Sequence, residues 1–175
     1  MDSLDSPDRI AEIRAVIDAK PALKRFYTEI YARYAACLSA CPNEGLAVEL
    51  GSGGGFAQRM IPELVTTDVL PYDGVDRVVD ATRMPFADQS VRFIGMLNVF
   101  HHIPDVAAFL REAGRCLVPG GRLLLIDQHP GWIGKPVLRF LHHEPFCPDA
   151  TDWKFGVTGN RAWQPSSASW RCCHG

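Results

Sequence analysis

Apolar positions along this chain change texture twice. Between Ala22 and Ala40, residues Leu23, Phe26, Tyr27, Ile30, Tyr31 and Tyr34 recur at three- and four-residue steps. That spacing predicts an amphipathic helix stopping before Pro42, and an earlier helix is expected around Pro7 to Ala19. From Leu46 the apolar residues gather into short runs, LAVEL, LVTTD, RVVD, RFIGML and RLLLID. Helical patterns intervene at about Phe56 to Ile61 and Asp105 to Leu117, and PGG (Pro119 to Gly121) reads as a turn before the last run. Strands alternating with helices predict βαβ units and an α/β fold with a mainly parallel sheet. The runs are apolar rather than alternating, as a sheet covered by helices on both faces requires. After Asp127 the pattern weakens. Trp132 to His143 reads as one more helix with Pro136 in its first turns. DWKFGV (Asp152 to Val157) is the best strand-like piece beyond it, and no structure is assigned to the Pro-, Gly-, Ser- and Trp-rich remainder.

Composition narrows the class. The 175 residues are 47% hydrophobic and 22% charged, enough for the core of one domain. A formal net charge of -2 without a basic block argues against nucleic acid and for a neutral or small partner. The acidic opening MDSLDSPD and the lack of a long apolar run read as neither signal peptide nor membrane span, so the cytoplasm is the default expectation. Six cysteines without a CxxC pair read as reduced thiols. Cys172, Cys173 and His174 look like a zinc fragment but lack four ligands at suitable spacing, so no metal site is expected.

The chemistry begins at AVELGSGGGF (Ala47 to Phe56), where a strand ends in an acid followed by a run of glycines. Such a loop turns tightly, lets a ligand approach bare backbone, and opens a helix whose unpaired N–H groups favour a carboxylate or phosphate. The dinucleotide pattern G-x-G-x-x-G fits at Gly51 and Gly53 but meets Phe56 in its third place, and no GK[ST] follows for a P-loop. The pattern that remains, E-x-G-x-G-x-G, resembles motif I of the class I S-adenosylmethionine-dependent methyltransferases, with Glu49, Gly51, Gly53 and Gly55 in the matching positions. Asp68 closes the second strand, where the family's acid holds the ribose hydroxyls; a carboxylate accepts both hydrogen bonds at once. Asp80 and Ala81 in VVDATRMPF resemble the element beside the adenine, and Asn98 ends the fourth strand where the family lines the methionine end. The match covers about Gly45 to Gln128, and HHIPD after the fourth strand is similar to the ubiquinone- and menaquinone-biosynthesis branch.

The resemblance implies a Rossmann-like doubly wound fold and S-adenosyl-L-methionine as cofactor, held by Glu49, Gly51, Ser52, Gly53, Gly55, Asp68, Asp80, Ala81 and Asn98. It also implies transfer of a methyl group to a small-molecule acceptor by in-line displacement. Orientation and desolvation do most of that work; a base helps only when the nucleophile must lose a proton, which makes His101 and His102 the candidate catalytic residues. The alternatives stay open: Asp68 and Asp80 as ordinary turn acids, Asn98 as a strand-end residue, either histidine as a cap for the helix near Asp105. His142 and His143 read as partly exposed and structural. Tyr27, Tyr31 and Tyr34 read mainly as packing, with a lid over the cofactor as the lesser reading. Residues 1–44 are expected to pack on or lid the core, 45–128 to form the cofactor-binding core, and 129–175 to add a helix and an irregular tail to the same domain. Five strands are clear, but the family's C-terminal hairpin is not, so β-strand RLLLID is expected at an uncovered edge. The chain therefore reads as a shortened or divergent member, with a cofactor-binding module lacking catalysis as the alternative and a nicotinamide oxidoreductase as the third.

Overall fold

A computed structural model describes residues 7–127. The expected helix Trp132 to His143, the segment DWKFGV, His142, His143 and the terminal Cys-Cys-His lie outside the described residues, as does any strand pairing beyond Asp127. Two helices come first, α1 (Pro7–Ala19) and α2 (Pro21–Leu38). Pro21 starts the second, where its fixed φ is helical and its missing N–H costs nothing. There follow β1 (Leu46–Leu50), the single turn α3 (Ala57–Met60), β2 (Leu64–Asp68), β3 (Arg77–Val78), β4 (Val91–Leu97), a 3₁₀ turn at Phe100–His102, α4 (Val106–Cys116) and β5 (Leu117–Ile126). Asp105 caps α4, its side chain accepting the Ala108 N–H at 2.8 Å.

The strands form one sheet in the order β3-β2-β1-β4-β5, every pairing parallel. Chain order reverses between β1 and β4, which makes their carboxyl ends the switch point where α/β sheets bind ligands. PGG is not the separate turn its residues predict: it lies within β5, with Val91 opposite Leu117 and Phe93 opposite Arg122. The four residues between Leu117 and Arg122 bulge out, and Gly120 at φ +81° supplies the left-handed step that the bulge needs. Among the described residues β3 and β5 are the edge strands of the sheet.

Pleating sends alternate side chains to opposite faces, and two cores result. On one face Val48, Leu50, Ile94 and Met96 pack with Phe109, Ala113 and Cys116 of α4. On the other, Ala47, Leu64 and Phe93 meet Tyr31, Tyr34 and Leu38 of α2. Small residues on this second face let the tyrosines in: a Cβ on Gly95 would stand 2.7 Å from the Tyr34 ring. Tyr34 is fully buried and its ring meets Phe93 edge-on at 5.6 Å. The connection from β3 to β4 is clamped to α4. Arg115 donates to the Met84 and Phe86 carbonyls at 3.0 and 2.8 Å, while Glu112 accepts the Met84 N–H at 2.9 Å. Those bonds fix where the VVDATRMPF segment runs.

Candidate active site

The glycine loop connects β1 to α3 at the switch point, and each of its glycines has a separate reason. Gly51 has φ +68°, and a Cβ there would lie 2.4 Å from Val99 Cγ2. Val99 therefore reaches across from the end of β4 and rests on bare backbone. Gly55 makes the same allowance for α2, since its Cβ would meet the Tyr31 hydroxyl at 2.4 Å. That hydroxyl accepts the Phe56 N–H at 3.3 Å, and the Tyr31 and Phe56 rings meet edge-on at 5.1 Å. Gly53, at φ +45°, differs: a Cβ there would meet nothing within 4 Å, so its outer side is open. The loop is also tied to β2. Ser52 N–H donates to the Thr67 carbonyl at 2.8 Å, and the Ser52 hydroxyl accepts the Thr67 N–H at 3.2 Å.

Two acids flank this loop. Glu49 is 2% exposed on the face shared with Tyr31 and Tyr34, and its Oε2 has no hydrogen-bond partner. Burial pushes its carboxyl up to about 7, opposed by the Ser52 side chain and assisted by the charge of Asp68. Asp68, at the end of β2, is also buried and raised by it; the Leu70 and Gly53 N–H groups pull the other way. Its Oδ2 accepts the Gly53 N–H at 3.0 Å and its Oδ1 the Leu70 N–H at 3.2 Å. Each carboxylate oxygen has a second lone pair, so Asp68 anchors the loop and keeps capacity for two further donors.

The other sequence candidates divide. Asp80 is exposed, and its Oδ1 accepts from both the Thr82 N–H (2.8 Å) and hydroxyl (2.7 Å), the turn role that its residue type allowed. Ala81 is half-buried against the α4-side core. Asn98 takes a left-handed φ of +54° just past β4, and its N–H donates to the Ile126 carbonyl at 2.8 Å. His101 and His102 form the next turn, ring centroids 3.9 Å apart. Neither is the cap of α4, which is Asp105. Instead His101 Nδ1 lies 2.6 Å from Asp127 Oδ1, and the His101 N–H donates to Asp127 Oδ2 at 3.1 Å. Asp127 was not among the sequence candidates, although it follows a parallel strand as Asp68 ends one; that position is the signal that finds it. The first helix, α1, lies against the loop, with Ile13 against Gly54 and Arg14 donating to the Gly53 carbonyl at 3.2 Å.

The glycine loop and the buried acids of β1 and β2 come together at the switch point of a parallel sheet of order 3-2-1-4-5. The sequence pattern of the family described as "Methyltransferase domain" matches residues 48–125. This segment is similar to a methyltransferase domain of the kind that uses S-adenosylmethionine. A ubiquinone/menaquinone biosynthesis C-methyltransferase of Desulfotalea psychrophila is 31% identical over 80 residues, 45% of this chain and 32% of that protein. A 27-O-demethylrifamycin SV methyltransferase of Amycolatopsis mediterranei is 45% identical over 56 residues, 30% of this chain and 21% of that protein. The chain thus spans a third or less of these curated relatives. Among solved structures, a SAM-dependent methyltransferase from Aquifex aeolicus shares the fold with TM-score 0.55 at 18% identity, covering 72% of this chain and 74% of that one. Glu49 pairs opposite Gly95 across β1 and β4, Asp68 bonds the Gly53 N–H, and the His101 N–H donates to Asp127. Among the described residues no group of three metal-ligating side chains comes together, and no helix is long and apolar enough to cross a membrane.

Proposed function

We propose that this chain binds S-adenosylmethionine across the carboxyl ends of β1, β2 and β4 and transfers its methyl group to a small-molecule acceptor. The observation that carries the reading is Asp68, buried at the end of β2 and bonded to the Gly53 N–H of the motif I loop, so that one carboxylate links loop and ribose position. The residues fit the cofactor. Glu49 offers an unpartnered buried oxygen to a cationic methionine end, Gly53 leaves backbone exposed, and Asp68 retains acceptor capacity for two ribose hydroxyls. Gly51, Ser52 and Gly55 shape the loop, while Asp80, Ala81 and Asn98 complete the site at the adenine and methyl ends. When bound, S-adenosylmethionine supplies an activated methyl group on a sulfonium, and the leaving thioether needs no acid.

The chain's own task is then to align the acceptor and exclude water, with His101 and His102 beside the β4 end where a proton must leave. Radiolabel from S-adenosylmethionine tests this directly. The purified chain should transfer label to a component of a metabolite extract; tight cofactor binding with no transfer to any component would instead support a cofactor-binding module without catalysis.

A further inference from the structure

We propose that Glu49 carries a proton in the free protein and gives it up to solvent when the cofactor's ammonium group arrives, so that cofactor binding is proton-linked. This deepens the methyl-transfer reading and rests on it. Glu49 is 2% exposed, and its Oε2 has no hydrogen-bond partner. Among the described residues, the groups that face it bring no positive charge. On α2, Tyr31 and Tyr34 are buried, and burial together with the neighbouring Glu49 raises both hydroxyls far above their ordinary range, so they stay neutral. The Tyr31 hydroxyl accepts the Phe56 N–H, and the Tyr34 hydroxyl has no partner. On β4 the residue opposite is Gly95, whose bare backbone admits the Tyr34 ring. The loop contributes the neutral Ser52 side chain, and β2 brings a second acid, Asp68. Arg14 of α1 reaches the loop but bonds the Gly53 carbonyl at 3.2 Å.

Burying an unpaired charge is far costlier than burying a neutral acid, and a second negative charge near Asp68 adds repulsion. The two acids divide accordingly. Asp68 accepts the Gly53 and Leu70 N–H groups, which favour its ionised form, whereas desolvation is the largest influence on Glu49 and holds its carboxyl at about 7. An ammonium beside Oε2 reverses that balance, because it pairs the charge where the dielectric is low and so lowers the carboxyl. The O–H bond of Glu49 breaks, its electron pair stays on the carboxylate, and the proton leaves to solvent; the ammonium keeps its own protons. The free protein then holds a proton that the complex lacks, so affinity rises with pH through 7 and levels off above it. The ligand sets the upper limit, since an α-amino group loses its own charge at about 8 and above.

Calorimetric titration of the full chain with S-adenosylhomocysteine, in buffers of different ionisation enthalpy, counts the protons released. From a carboxyl at about 7, release should be close to one proton at about pH 6 and about half at pH 7, with affinity rising about fivefold between them. 5′-Methylthioadenosine has the adenosine and the thioether but no amino-acid end. It should bind without proton release, its affinity changing by less than about twofold over the same range. Glu49→Gln should abolish the release that accompanies S-adenosylhomocysteine, and the comparison of the two ligands on wild type stands whether or not that variant folds. No release with S-adenosylhomocysteine, equal release with 5′-methylthioadenosine, or release retained in Glu49→Gln each overturns the proposal, the last two by placing the titrating group elsewhere. Failure of the underlying reading shows separately, as no S-adenosylhomocysteine binding by the wild type.

Discussion

Replacing Gly51 by alanine tests the claim that the motif I loop and the β4 end are built against each other. Alanine at φ +68° costs about 1 to 2 kcal/mol for the left-handed backbone alone. The new Cβ would also stand 2.4 and 2.8 Å from the two Cγ atoms of Val99 and 3.2 Å from its Cβ, against an ordinary carbon contact of about 3.5 to 4 Å. Valine is stiff at χ1, and its neighbour Asn98 already occupies a left-handed φ, so Val99 retreats poorly. Overpacking of this kind costs about 1 to 3 kcal/mol, giving a total of roughly 2 to 5. Val99→Ala removes both methyl groups and by itself costs about 1 kcal/mol or slightly more, since the side chain is only half-buried. In the double variant the overlap disappears while the backbone cost stays. Urea unfolding of the four proteins at equal m-values should therefore give a favourable coupling of about 1 to 3 kcal/mol. Additivity within about 0.5 kcal/mol would refute the packing argument.

Glu49 gives a pH prediction whose sign follows from burial. Its folded carboxyl is raised from 4.5 to about 7, so the unfolded chain releases the proton first. Its penalty is absent below the unfolded value and grows as pH rises through that window, reaching roughly 3 kcal/mol above 7. Glu49→Gln should be more stable than wild type at pH 8 and lack this decline between pH 5 and 7, by denaturant midpoint; identical profiles would place the carboxyl in water. Asp105→Ala should lower stability by about 1 kcal/mol through loss of the α4 cap, read by thermal unfolding. Tyr31→Phe removes the acceptor of the Phe56 N–H and should cost about 0.5 to 1.5 kcal/mol, with faster hydrogen exchange at Phe56 than in wild type.

The sheet was legible because apolar runs at Ala47, Leu64 and Phe93 have no alternation to disguise them, and because turn residues separate them. The motif loop was legible for the same reason that it works: its glycines answer φ and contact constraints that no other residue meets. PGG misled because a left-handed glycine serves a free turn and a bulge within a strand equally well; only the pairing of Phe93 with Arg122 distinguishes them. Asp127 was overlooked because its meaning depends on His101, 26 residues away in sequence and adjacent only once β4 and β5 pair. Residues 1–44 were expected to pack on or lid the core, but which side chains of α1 touch the loop was not legible. Ile13 and Arg14 carry no motif, and their role exists only in the approach of that helix to Gly53 and Gly54.

The most direct test of the central claim is calorimetric titration of the purified chain with S-adenosylhomocysteine and, separately, with NAD, repeated with Asp68→Ala. The account predicts saturable binding of S-adenosylhomocysteine, none of NAD, and a loss of about 1 to 3 kcal/mol in affinity when the Asp68 carboxylate is removed. Binding of NAD in place of S-adenosylhomocysteine, or an affinity unchanged by Asp68→Ala, would contradict it.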